Sequence, residues 1–133
     1  MIYIACPYTD PKPHIRTERA RIAGYYGHTL AQEGIFFFSP LTHGHYIDVN
    51  WPITNPDYWI KWCKKFVPIC HTLHILDIEG REDSKGVSRE IEWFRQAEKP
   101  IHLIECNYWE YAEISLSSKC ESDVVFRTLG SPT

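Results

Sequence analysis

Apolar and polar positions follow two rhythms along the chain. Met1–Cys6 (MIYIAC), Ile35–Phe38 (IFFF), Leu73–Ile78 (LHILDI) and Pro100–Ile104 are short apolar runs rich in β-branched and aromatic residues. Such runs suit strands, and those without alternation suit strands buried on both faces. From His14 to Gln32 the stripe Ile15, Arg19, Ile22, Ala23, Tyr26 and Leu30 recurs at three- and four-residue spacing, which predicts an amphipathic helix, and Gly34 is placed to cap its C-terminus. Asn55-Pro56-Asp57 reads as a second helix start, with Asn as N-cap and Pro in the first turn; that helix is expected to reach Val67, before Pro68. Lys85–Glu98 is a further helical stretch. Ser39–Thr54, with prolines, a glycine and no sustained period, reads as a long loop.

The alternation of strand and helix predicts a three-layer α/β fold, a parallel sheet of four or five strands of Rossmann- or flavodoxin-like type with flanking helices. At 133 residues the chain is expected to form a single domain, 1–133. The stretch 105–133 is poorly patterned, with room for one more short helix and strand before a frayed tail at Gly130-Ser131-Pro132. Ligands of open parallel sheets bind beyond the carboxyl ends of the strands. Attention therefore falls on three strand-to-helix loops, Pro7–Pro13, Ser39–Thr54 and Glu79–Lys85.

Composition narrows the function. Hydrophobic residues make up 44% and charged residues 23%, which excludes a disordered chain. No apolar run reaches the roughly 18 residues of a membrane span, and Met1 leads straight into a strand-like stretch, so a cytoplasmic protein without membrane contact is expected. A net charge of -3 argues against a nucleic-acid polymer as partner but leaves room for a small anion. The five cysteines show no CxxC pair and read as free thiols. His43 and His45 are the only close histidine pair, and two ligands without a third make no metal site, so neither metal nor cofactor is expected.

The segment from Asp77 to Glu92 carries the most chemistry. It leaves a strand, crosses a polar loop and enters a helix through Ser84-Lys85-Gly86. Ser84 suits an N-cap, and Gly86 lets a ligand approach the free N–H groups of the first turn, where an anion is favoured; Ser is equally the ordinary cap of a helix without a ligand. At 100° per residue, Val87, Ile91 and Phe94 share one face, Glu90 lies at its border and Glu92 on the polar side. Glu90 is thus expected half-buried, as a carboxylate of raised pKa able to act as nucleophile or base, or as a helical Glu paired with a cation.

Four blocks, Tyr3-Ile4-Ala5-Cys6-Pro7-Tyr8, Ser39-Pro40-Leu41-Thr42-His43-Gly44-His45, the Leu76-Asp77-Ile78-Glu79-Gly80 strand end and Ser84-x-Gly86-Val87-x-x-Glu90, together resemble the nucleoside 2-deoxyribosyltransferase superfamily. Within it the chain is most similar to a small group of bacterial and phage proteins. The resemblance spans roughly residues 1–104 and implies cleavage or transfer of an N-glycosidic bond on a nucleoside or nucleoside 5′-monophosphate. It gives Glu90 the role of nucleophile, through a covalent glycosyl-enzyme, Tyr3 that of orienting the carboxylate, and Ser84 that of binding a 5′-phosphate. A serine there favours hydrolase over transferase. The resemblance also implies a homodimer or higher homo-oligomer.

One position departs from the superfamily, whose second helix usually offers an aspartate to the sugar and base. Cys63 stands there, and a thiol cannot replace a carboxylate in proton transfer. Asp57, His71 or Asp77 are candidates to substitute. His43 and His45 are placed to contact base or phosphate, or to protonate the departing base, or merely to bond loop backbone. Pro7 and Tyr8 border the same crevice, and Tyr8, Tyr46, Trp51 and Trp59 offer either a stacking surface or ordinary packing. The competing expectation is a binding protein that senses a nucleotide without cleaving it. A phosphoribohydrolase is disfavoured, because its PGGxGTxxE motif is absent.

Overall fold

The computed structural model describes residues 1–106 and 126–130. In chain order the elements are β1 (Ile2–Ala5), α1 (Pro13–Gln32), β2 (Phe37–Phe38), α2 (Pro40–Asn50), α3 (Tyr58–Lys64), β3 (Thr72–Asp77), α4 (Lys85–Gln96), β4 (Ile101–Cys106) and β5 (Phe126–Gly130). The strands form one sheet in the order β2-β1-β3-β4-β5. The first four are mutually parallel, and β5 runs antiparallel to β4. The expected α/β architecture is present, with an antiparallel edge strand added.

Period-two alternation in the strands builds two cores on opposite faces of the sheet. Ile2 and Ile4 pack with Ile22, Ala23, Tyr26 and Leu30 of α1. Tyr3 and Ala5 point the other way, into a cluster with Cys63 and Val67 and with Val87 and Phe94 of α4. All four β1 residues are buried, which accounts for the unbroken apolar run that marked it. From β1 the chain passes to β2 on one side and later returns to β3 on the other, so the order reverses at β1. That switch point opens a crevice at the carboxyl ends of β1 and β3.

Several boundaries differ from the sequence expectations. Ser39–Thr54 is not a loop: Ser39 caps α2 by accepting the Thr42 N–H at 3.3 Å, with Pro40 in the first turn. This helix buries Leu41 alone, so no apolar period betrayed it. The Asn55 side chain accepts the Asp57 N–H at 3.0 Å, a turn that delays α3 to Tyr58, and α3 ends at Lys64 rather than Val67. Glu33 caps α1 and Gly34 follows at φ 75°, the left-handed position foreseen for it. Gly130 closes β5 instead of fraying. The additional helix expected after residue 105, Cys120 and the tail residues Ser131 and Pro132 lie outside the described residues. Among the described residues, no helix is long and apolar enough to cross a membrane.

Candidate functional site

A cleft of about 640 Å³ opens at the switch point, walled by the loop after β1, the start of α2, α3, the loop after β3 and the first turns of α4. Pro7, Tyr8, Cys63, Ser84, Gly86 and Glu90 all line it, so six of the residues singled out from sequence meet in one place.

Glu90 is positioned by α4. Ser84 accepts the Val87 N–H at 3.2 Å, fixing the helix start, and Val87 and Phe94 drive the inward face into the core. Glu90 is only 8% exposed, deeper than the half-burial expected, because β1 and α3 close over it from outside its own helix. Burial pushes its carboxyl up to about 7, against the opposing pull of the Tyr3 hydroxyl and the Arg89 charge. Tyr3 lies beneath it, fully buried, its ring edge-on to Phe38 at 5.1 Å and to Phe94 at 5.3 Å. Its hydroxyl is the one buried side-chain polar atom among the described residues without a hydrogen-bond partner. Burial and then the neighbouring Glu90 charge hold that phenol firmly protonated. The hydroxyl thus feels the carboxyl without a completed bond. The Cys63 thiol, also buried, is pushed up to about 12 by desolvation and by Glu90, so it stays neutral.

At the mouth, the N-terminus of α4 presents first-turn N–H groups with no intrahelical acceptor. A Cβ at Gly86 would meet only Ser84 Oγ, at 3.8 Å, so that face is open. Lys85 and Arg89 add positive charge to the cleft lining, and Asp10 and Asp83, the latter directly before the Ser84 cap, add negative charge. Arg19 is the residue the sequence reading passed over. Only 7% exposed, it donates to the carbonyls of Thr9 at 3.1 Å, Tyr8 at 3.4 Å and Glu79 at 3.0 Å, tying the loops after β1 and β3 together behind the cleft. Gly80 is required there: at φ 93°, its added Cβ would stand 2.4 Å from Arg19 Nη2. An arginine inside the apolar stripe of α1 was the visible signal.

A smaller annex of about 140 Å³ adjoins the cleft and shares Tyr8, Pro40, Leu41, Trp59 and Cys63 with it, adding Gly44, His45 and Asp48. Tyr8 Oη donates to Asp48 Oδ2 at 2.9 Å and meets His45 Nδ1 at 2.8 Å. Burial and the Asp48 bond push this phenol up to about 12.

Two predicted residues are not brought in. His43 stacks on Trp62, 4.2 Å between centroids, and lines neither cavity, because the helical turn that replaced the expected loop points alternate residues apart. Asp77 accepts from Arg81 Nε at 2.7 Å and is likewise outside both. Of the other proposed substitutes for the missing carboxylate, His71 Nδ1 contacts the N-terminal amine at 2.9 Å, and Asp57 is exposed; neither lines the cleft. Tyr46 and Trp51 are exposed and meet each other edge-on, leaving Tyr8 and Trp59 of the four aromatic candidates in the walls, where Trp93 joins them. Among the described residues, no three His, Cys, Asp or Glu side chains are grouped to hold a metal ion.

A family model described as a domain of unknown function (DUF1937) matches residues 1–106, the stretch that supplies every wall of the cleft. The chain belongs to that family. No curated protein matches it.

Proposed function

We propose that this member of the DUF1937 family cleaves the N-glycosidic bond of a nucleoside or nucleoside 5′-monophosphate, hydrolysis being favoured over transfer to a second base. The observation that carries this reading is the Glu90 carboxyl, buried at the cleft floor beside an unpartnered tyrosine hydroxyl. A carboxyl pushed up to about 7 by burial exchanges its proton near neutral pH and, poorly solvated when ionised, is a reactive nucleophile. One Glu90 oxygen bonds the anomeric carbon while the glycosidic electron pair leaves with the base. Water then displaces the carboxylate and frees the sugar. Tyr3 completes its hydrogen bond to the carboxylate in the substrate complex, as catalytic hydrogen bonds often tighten only there. The 5′-phosphate lies at the N-terminus of α4, where Ser84 and the first-turn N–H groups face the cleft and Lys85 and Arg89 supply charge. The resemblance to the nucleoside 2-deoxyribosyltransferase superfamily supports the same assignment.

A second reading has a specific observation behind it. The neutral Cys63 thiol stands in the cleft beside Glu90, where it neither transfers a proton nor holds sugar hydroxyls as a carboxylate does. This favours a protein that binds a nucleotide and leaves it intact. Base release from ribo- and deoxyribonucleoside 5′-monophosphates, followed chromatographically for wild type and Glu90→Ala, separates the two. Free base from wild type alone is expected. No release from either protein, with nucleotide binding retained, would overturn the enzyme reading in favour of the binder.

A further inference from the structure

We propose that the annex is the slot for a single-ring leaving group, a pyrimidine, and that His45 donates the proton that departs with it. The proposal rests on the glycosidic reading above and specifies its base. Size comes first. The annex encloses about 140 Å³, close to the roughly 150 Å³ of an apolar cavity that holds one benzene ring. A six-membered heterocycle matches that volume more closely than a fused purine does. Leu41, Pro40 and Trp59 give it apolar walls, and Gly44 sits where a Cβ would stand 3.6 Å from the Trp59 ring. Because the cleft and annex share walls, a ring seated in the annex stays joined to a sugar lying toward Glu90.

Hydrogen bonding then fixes the histidine. The Tyr8 hydroxyl has a single proton, and the Asp48 carboxylate can only accept, so that proton goes to Oδ2. The contact from Tyr8 Oη to His45 Nδ1 at 2.8 Å therefore requires Nδ1 to donate. Nδ1 carries a hydrogen, and Nε2, which makes no hydrogen bond among the described residues, is left for the ligand. In the imidazolium form, Nε2–H meets the ring carbonyl oxygen beside the glycosidic nitrogen. As a Glu90 oxygen bonds the anomeric carbon, the carbon–nitrogen bond breaks, its electron pair moves into the ring and the Nε2 proton passes to that carbonyl oxygen. The base leaves neutral. Water then displaces Glu90 from the anomeric carbon, its surplus proton returns to Nε2, and both residues are restored.

Two leaving groups test the proton donor. Wild type and His45→Gln are compared on deoxyuridine 5′-monophosphate and on 4-nitrophenyl deoxyriboside 5′-phosphate, whose anion departs without a proton. His45→Gln is expected to slow uracil release about 100-fold while nitrophenol release changes less than about threefold. Equal losses on both substrates, or on neither, overturn the role of His45. Wild type is also expected to release pyrimidines at least about tenfold faster than purines; purine release at the pyrimidine rate overturns the slot. Saturation-transfer NMR with free uracil and free adenine decides the slot without turnover. Uracil alone should bind, and Gly44→Leu should abolish that binding while deoxyribose 5-phosphate still binds, with Gly44→Ala as the check on α2. If wild type releases no base at all, the glycosidic reading fails. Uracil binding lost in Gly44→Leu then still sustains the slot, whereas absent uracil binding or equal adenine binding removes it.

Discussion

On each face of the sheet a buried tyrosine stands beside an ionisable group, half-buried His74 on one and buried Glu90 on the other, and the two pairs are finished differently. Under α1, Tyr26 Oη and His74 Nδ1 are 2.6 Å apart. Burial lowers His74 to about 4, so it is neutral at physiological pH and shares a hydrogen bond with the phenol. On the opposite face, Tyr3 Oη has no hydrogen-bond partner among the described residues, and burial raises Glu90 to about 7. The first pair lines neither the cleft nor the annex, whereas Glu90 of the second lines the 640 Å³ cleft. Desolvation acts on both. Where the polar atoms satisfy each other, burial makes structure. Where one is left over at the wall of a cavity, the cost is carried for something that enters the cavity.

The largest expected effect separates the pairs by activity. Glu90→Gln preserves shape and should lower base release at least about 10³-fold, while wild-type kcat/KM on the nitrophenyl substrate, whose anion departs without a proton from His45, should climb as pH rises through about 7 and Glu90 ionises. Stability comes next, with the opposite sign for the variant. Between its ordinary value of 4.5 and about 7, folded Glu90 holds a proton that the unfolded chain has lost. The Glu90 contribution is therefore most favourable below 4.5, declines as pH rises through that span and levels off above it. The shift corresponds to about 3 kcal/mol. Urea denaturation at pH 8 should find Glu90→Gln more stable than wild type by up to about that amount, and the gap should close near pH 5. His74 tilts the other way: its lowered pKa makes the fold lose stability as pH falls from 6.5 toward 4. Parallel slopes in wild type and Glu90→Gln would mean that the Glu90 carboxyl is solvated and not poised.

Sequence revealed the parts of this contrast that depend on one element at a time. β1 was legible because burial on both faces leaves no polar position, β3 because Leu73, Ile75 and Leu76 keep it largely apolar, and α1 and α4 because each buries a stripe. α2 was hidden because it buries a single side chain, leaving only Ser39-Pro40 as its mark. Glu90 was placed on the correct face of α4, yet its depth was not, since a helical projection knows nothing of the strand and helix packed across from it. Asp77 was attractive as a carboxylate at a strand end, but Arg81, four residues on, binds it. His43 and His45 looked equivalent in a loop; in a helix, two residues apart, they point to different neighbours. The Asp48–Tyr8–His45 chain joins residues about 40 apart in sequence, and nothing local announces it.

Tyr26→Phe removes the hydroxyl that bonds His74 and leaves a half-buried ring nitrogen without that partner. It should cost about 1–3 kcal/mol in denaturant melts, with base release per folded molecule unchanged. A full loss of activity there would mean that the α1 face communicates with the cleft and that the two pairs are not independent.

Tyr3→Phe is the smallest change and divides the two faces most sharply. The hydroxyl has no hydrogen-bond partner among the described residues, while the ring contacts with Phe38 and Phe94 survive the substitution. No bond is lost and a desolvated polar atom disappears, so stability should stay within about 1 kcal/mol of wild type or rise. Function should register the loss. Without the hydroxyl that pulls Glu90 downward, the acid limb of the pH–rate profile should move to higher pH, and kcat should fall about 10-fold. A purely structural tyrosine would show the reverse, a less stable protein with an unmoved pH profile, which is the behaviour expected of Tyr26. If Tyr3→Phe behaves that way, the unpartnered hydroxyl is a packing defect and Glu90 works without it.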